Sequence, residues 1–217
     1  MQHCFEIYGI LILILFVTFI AISILAIKRK QKLLVIILIV SAVSISMPFC
    51  VIYLGPSIWM HYELKKLQTT FSKDGICKQT TCFTCGPAAA VTVLRLLGVE
   101  AKESDLAIYS KCTPKGGTTN ENLVNAITKL YGAKGIECSY LSFVSVEQLK
   151  DNCPLIACMH LSSVVCHYTV VLEVTEDKVI LGDPIGGKKQ WSYDDFKKRC
   201  WPTAIIFKNN QLIDSPN

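Results

Sequence analysis

Gln79-Thr80-Thr81-Cys82-Phe83-Thr84-Cys85-Gly86-Pro87-Ala88-Ala89 is the stretch on which the reading of this 217-residue chain turns. Gly-Pro and a run of small residues behind Cys85 place that cysteine at the start of a helix. Proline is tolerated in a first turn because its missing N–H would lack a partner there anyway. Ala90, Val93, Leu94 and Leu97 follow at helical spacing, and Gly98 closes the segment. The positive end of a helix dipole favours thiolate over thiol, so the position suits a nucleophile and offers nothing to a structural cysteine. A cysteine at a helix start is weak by itself and needs partners elsewhere in the chain.

Further along, Ser104 starts a short helix to about Tyr109. Thr118 with Glu121 reads as a capping box, followed by Leu123, Ile127 and Leu130 on one face and Gly132 at the end. Then the period changes. Leu155 to His160, Val165 to Val174 and Lys178 to Leu181 read as strands, and Gly182 to Gly187 as a turn. Ser192 with Asp195 caps a last short helix, and Thr203 to Phe207 is a closing strand. Helices first and an antiparallel sheet second make an α+β domain with a helical lobe, a sheet lobe and a cleft between them.

The partners for Cys85 come from the sheet half. His167 lies on a strand, where a rigid element can present an imidazole to the thiol and form a thiolate–imidazolium pair. A half-buried strand histidine is the ordinary alternative. His160 has no carboxylate at a comparable downstream turn, and His3 and His61 lie in or near apolar runs. Asp183 follows the next strand and can accept from the second ring nitrogen, fixing the tautomer; Asp-Pro also simply starts turns. Gln79, six residues before Cys85, can donate its amide to an oxyanion beside the Cys85 N–H, or be a surface glutamine.

Toward the N-terminus the chain changes character. No charge occurs from Ile7 to Ile27, nor from Leu33 to Met60, and the basic link Lys28-Arg29-Lys30-Gln31-Lys32 separates the two runs. A bilayer core of roughly 30 Å needs about 20 helical residues, so both are long enough. The basic-free flank and the lack of a small-residue cleavage site exclude a signal peptide. The expected organisation is a transmembrane helical hairpin (about 7–27 and 33–54) within residues 1–60, a linker over 61–71, the catalytic domain over 72–208 and a tail over 209–217. The link is basic and the N-terminal flank is not, which puts the link in the cytoplasm and the domain on the far side.

Composition closes off other classes. The net charge of +5 holds no basic stripe interleaved with aromatics, so nucleic acid is not expected as a partner. Of eleven cysteines, Cys4 and Cys50 belong to the apolar region and Cys85 is set aside. The other eight allow 105 disulfide pairings in an outward-facing domain, or are small buried hydrophobes. Cys82 and Cys85 have CxxC spacing, but no second pair follows at zinc-like distance, so no metal or other cofactor is expected.

Taken together, the stretch from Gln79 to Ala89, Val93-Leu94-Arg95-Leu96-Leu97-Gly98-Val99, Gly117 to Leu123, Cys153-Pro154-Leu155-Ile156-Ala157, His167-Tyr168-Thr169-Val170-Val171, Asp183-Pro184 and Trp201-Pro202-Thr203-Ala204 resemble the bacteriocin-processing peptidases, family thirty-nine of the cysteine peptidases. The resemblance spans about residues 72 to 208. It implies a papain-like fold, peptide-bond hydrolysis by Cys85, His167 and Asp183 with Gln79 as oxyanion donor, and a peptide or protein substrate. It also implies leader peptides cut after a double glycine, and a transporter partner. Thr84 stands where the family often has Asp. Two other readings use the same residues: an acyl-transferring, transglutaminase-like enzyme, and a non-catalytic peptide-binding module.

Overall fold

Lys32–Lys65 form one helix, α1, that contains the second uncharged run. In this computed structural model, residues 17–22, 24, 32–160 and 166–210 are described. Most of the first run and all but Lys32 of the basic link lie outside them, as do several side chains in the middle of α1. Among the described residues no helix is long and apolar enough to cross a membrane, so the hairpin is not shown by the structure. The chain divides into two units, Met1–Trp59 and Met60–Asn217. The end of α1 belongs to the second: Leu64 is buried with Ala107 and Cys112, and Met60 and Leu67 pack on them. Residues 61–71, expected as a linker, are therefore partly core.

A two-stranded ribbon, β1 (Thr70–Phe71) with β2 (Cys77–Lys78), leads into the helices. Helix α2 is Cys85–Leu96, and its small residues let it sink into the fold: Cys85 to Leu94 are all buried. Helices α3 (Glu103–Tyr109) and α4 (Asn120–Tyr131) follow. Thr119, not Thr118, caps α4, accepting from the Asn122 N–H at 3.2 Å. Thr118 instead donates its hydroxyl to the Ser110 carbonyl at 2.8 Å. With the cap one residue later, the register still buries Leu123 and Ile127 and adds Ala126 and Tyr131.

Six strands form an antiparallel sheet in the order β3-β8-β4-β5-β6-β7. They are β3 (Ile136–Ser142), β4 (Leu155–His160), β5 (Cys166–Val174), β6 (Lys178–Asp183), β7 (Gly187–Ser192) and β8 (Cys200–Asn209). A short 3-10 segment, Val146–Asn152, and helix α5 (Tyr193–Arg199) complete the domain. The Ser192 hydroxyl caps α5 by accepting from the Asp195 N–H at 3.1 Å, as the sequence suggested. Alternation along β5 splits the core in two. Val170 packs toward α2 and α4 with Leu94, Ile127 and Ile205. Val171 packs on the other face with Leu149, Leu181 and Phe196. The central strands are thus covered on both sides, and for that reason they read in sequence as near-continuous apolar runs.

Candidate active site

Cys85 opens α2 and is almost wholly buried. The turn before it is closed on itself: the Thr84 N–H donates to the Thr81 carbonyl at 3.3 Å, and the Thr84 carbonyl accepts from the Ala88 N–H at 3.0 Å. Gly86 is required by packing more than by backbone angle. A Cβ there would lie 2.7 Å from Thr118 Cγ2 and 3.1 Å from Tyr168 Cδ2. Its absence lets the start of α2 press against the loop before α4 and against β5.

His167 and Asp183 are brought together as expected. His167 lies on β5 opposite Met159 of β4, and Asp183 ends β6. Nε2 of the imidazole donates to Asp183 Oδ1 at 2.8 Å, with both side chains about nine-tenths buried. Burial alone would push the imidazole down, but hydrogen bonds to Asp183 and to Cys85, with the charge of Cys85, outweigh it and raise His167 to about 9. With Nε2 engaged by Asp183, Nδ1 is left for the thiol. Burial pushes the Asp183 carboxyl up. Hydrogen bonds from His167, Lys189 and the Ile185 N–H more than offset this and hold it well below the usual carboxylate range. Cys85, His167 and Asp183 thus come together through the imidazole, an arrangement that can activate a thiol.

Gln79 reaches the same place through its loop. Its backbone N–H donates to the Pro184 carbonyl at 3.1 Å, tying it to the Asp183 turn. Its side-chain Nε2 donates to the Thr81 carbonyl at 2.8 Å, and its Oε1 is buried without a partner. An amide nitrogen carries two N–H donors, so beside its bond to Thr81 the Gln79 Nε2 keeps a second one for another acceptor. Three residues that sequence reasoning missed support the set. Glu103, fully buried, accepts from the Thr80 N–H at 2.9 Å and from the Thr80 hydroxyl at 2.6 Å. Lys189 places Nζ 2.5 Å from Asp183 Oδ2. Tyr168 hydroxyl donates to Asn120 Oδ1 at 2.6 Å beside Gly86. A signal existed only for Glu103, an acid in the first turn of a helix, which has a simpler explanation in the helix dipole.

Other candidates fall away. His160 stacks on Trp201 with ring centroids 4.6 Å apart. Cys82 is exposed while Cys85 is buried. Cys158 and Cys166 are joined in a disulfide between β4 and β5, whereas Cys77, Cys112, Cys138, Cys153 and Cys200 are free. A cavity of about 550 Å³ lined by Phe71, Val91, Arg95 and Lys102 lies at the C-terminal end of α2, a helix length from Cys85. It is not the place where this chemistry occurs.

Residues 73–211 match the Peptidase C39 family. An uncharacterised protein of Methanothermobacter marburgensis is 32% identical over 156 residues, which is 70% of this chain and 95% of that protein. A counterpart in Methanothermobacter thermautotrophicus is 32% identical over 155 residues, with the same shares covered. Among solved structures, the peptidase domain of Streptococcus ComA, a bi-functional ABC transporter involved in a quorum-sensing pathway, superposes with a TM-score of 0.54. It is 25% identical, and the match covers 61% of this chain and 96% of that one. A double-glycine-motif protease from an AMS/PCAT transporter, solved with its leader peptide, gives a TM-score of 0.54 at 17% identity, covers 67% of this chain and 100% of that one, and shows the same fold. The match over 73–211 takes in Gln79, Cys85, His167 and Asp183 together, and the chain belongs to the peptidase C39 family of cysteine peptidases.

Proposed function

We propose that this chain is a membrane-anchored cysteine peptidase that cleaves a peptide substrate through Cys85, His167, Asp183 and Gln79. The observation that carries the reading is the His167–Asp183 contact at 2.8 Å, with Cys85, at the start of α2, helping to raise the pKa of the same imidazole. Cys85 attacks the scissile carbonyl as thiolate. The Cys85 N–H and the Gln79 amide stabilise the oxyanion, and His167 passes its proton to the leaving amine. Water then attacks the thioester, with His167 as base. Asp183 holds the imidazole in the tautomer that both steps need. The substrate class we propose is a peptide with a leader segment ending in small residues, delivered by or to a transporter.

The anchor is the pair of uncharged runs, Ile7 to Ile27 and Leu33 to Met60, within the first 60 residues. In α1, Ile36, Ile37, Val40, Val43 and Met47 are each more than half exposed. An apolar surface of that kind on a helix wants lipid or protein over it. The basic link then lies in the cytoplasm and the peptidase domain outside.

The test is cleavage of peptides by the full chain in detergent micelles, with Cys85→Ala and His167→Ala as controls. Leader peptides carrying Gly-Gly before the cut should be processed, and Cys85→Ala should abolish processing. Turnover that survives Cys85→Ala ends the mechanism. Equal cleavage of Gly-Gly and bulky variants ends the substrate reading alone. Protease added to intact cells should remove the domain; protection of the domain reverses the topology.

A further inference from the structure

Asp183 is used at both oxygens. Oδ1 accepts from His167 Nε2 at 2.8 Å and from the Ile185 N–H at 2.9 Å. Oδ2 accepts from Lys189 Nζ at 2.5 Å. Lys189 lies on β7 opposite Leu181, two residues beyond the Asp183–Gly187 pair that closes the hairpin. It can fold back over the turn because Gly186 has no side chain. A Cβ at Gly186 would lie 2.5 Å from both Cε and Nζ of Lys189 and 3.3 Å from Asp183 Oδ2. The segment Asp183-Pro184-Ile185-Gly186-Gly187-Lys188-Lys189 is thus shaped to bring an ammonium to the far side of the carboxylate.

Two consequences follow from elementary chemistry. A carboxylate turns readily about its last side-chain bond, whose torsional wells are broad. Holding Oδ2 therefore fixes the plane in which Oδ1 meets the imidazole. Second, a lone buried carboxylate grips the imidazolium proton, because opposite charges favour the charged form. An ammonium on its other oxygen weakens that grip. The groups acting on this pair come from three sides: Cys85 on α2, Lys189 on β7, and His167 and Asp183 themselves on β5 and β6. Tyr168 and Cys112, which also face Cys85, are held in their neutral forms by burial.

We infer that Lys189 is a positioning residue of the triad. Acting through Asp183, it locks the carboxylate and moderates its hold on His167, so that the imidazolium can release its proton to the leaving amine. This rests on Cys85, His167 and Asp183 being the catalytic set. Lys189 is two-fifths exposed, so its charge is partly screened and the shift it causes is modest.

The experiment compares wild type, Lys189→Met, Lys189→Arg and, as a surface control, Lys188→Met in the full chain. Iodoacetamide alkylation of Cys85, followed by mass spectrometry of its peptide, and peptide turnover are each measured against pH. Lys189→Met should move the upper inflection of the alkylation profile upward by about half a pH unit to one unit. It should lower kcat by roughly tenfold while leaving KM near wild type, as expected for a group that acts only on the chemical step. Lys189→Arg should restore the wild-type profile, and Lys188→Met should not shift it. A Lys189→Met profile that superimposes on wild type, or a shift shared by Lys188→Met, overturns the inference. An alkylation shift in a chain that turns over no peptide upholds Lys189 and removes the peptidase reading. Cys85-dependent turnover with an unshifted Lys189→Met profile does the reverse.

Discussion

Glu103 offers a perturbation whose size can be worked from the structure. Its carboxylate is fully buried and accepts from the Thr80 N–H at 2.9 Å and from the Thr80 hydroxyl at 2.6 Å. Thr80 stands between Gln79 and Thr81, and the Gln79 side chain is itself bonded to the Thr81 carbonyl. Glu103 therefore fixes the loop that carries Gln79, the proposed oxyanion donor. Replacement by alanine removes two hydrogen bonds to a charged group, each worth ~1.5–3 kcal/mol. We expect a loss of about 3–5 kcal/mol, a large part of an ordinary domain's stability. Glu103→Gln keeps the shape and one acceptor but turns an N–H toward Thr80, for a loss of ~1–3 kcal/mol. The milder variant is the informative one. Peptide kcat for Glu103→Gln should fall by roughly tenfold or more through misplacement of the donor, while alkylation of Cys85 stays within about twofold, since alkylation builds no oxyanion. Thermal unfolding followed by fluorescence of Trp191 and Trp201 reports the stability loss. If kcat is unchanged, or if alkylation slows in step with kcat, Glu103 does not act through the Gln79 loop. If the Glu103→Ala midpoint equals wild type, the buried carboxylate holds nothing.

Three further outcomes follow from the same geometry. Gln79→Ala should lower turnover by roughly a hundredfold or more with little effect on alkylation, whereas Asp183→Asn should slow both; equal effects of Gln79→Ala on the two reactions would remove it as a donor. Gly86→Ala should destabilise by ~1–3 kcal/mol, because its methyl would meet Thr118 Cγ2 at 2.7 Å, and a wild-type unfolding midpoint would contradict that packing. Stability should fall as pH rises: the His167 share is full below its unfolded value near ~6.5 and is lost through about 9. Cys77, Cys112 and Cys200, pushed up to about 12 by burial, continue the decline as their unfolded thiols ionise first. Asp183, held low, contributes above its ordinary range and loses its share as pH falls through its lowered folded value. Unfolding midpoints against pH for wild type and His167→Gln test this, and an unchanged slope between 6.5 and 9 in the variant would count against it.

What the sequence disclosed and what it hid divide along physical lines. Strands β4 and β5 are buried on both faces, so their apolar runs were legible almost to the residue. Of the six strands in the main sheet, the two that escaped notice, β3 and β7, are its edges. Gly187-Lys188-Lys189-Gln190-Trp191-Ser192 alternates half-buried with exposed positions and has one large apolar residue. Such a pattern looks like loop, and polar edges of this kind protect a sheet from pairing with strangers. Cys85 and Asp183 stood out because each lies at the boundary of an element, and His167 because it lies on an apolar strand. Lys189 did not, because its role depends on the register of β6 with β7 and on the empty space at Gly186. Neither is a property of local sequence. Glu103 was hidden for a related reason: its partner, Thr80, lies 23 residues earlier.

The Asp183-Pro184 step shows how the two halves of the site are made into one. Proline has no N–H to offer, so the next donor, the Ile185 N–H, turns back to Asp183 Oδ1 at 2.9 Å. The Pro184 carbonyl accepts the Gln79 N–H at 3.1 Å. One dipeptide therefore braces the Asp183 carboxylate and anchors the loop that carries Gln79, the proposed oxyanion donor. Packing reinforces the join: a Cβ on Gly182 would lie 2.7 Å from Ile76 Cδ1, so β6 and the segment entering the Gln79 loop are in close contact. Displacing either piece strains the other. Gln79 and Asp183 differ in chemical role but share a mechanical support. Substitutions at Pro184 should therefore disturb acylation through both at once, lowering turnover by more than alkylation and alkylation by more than any change at Gln79 alone.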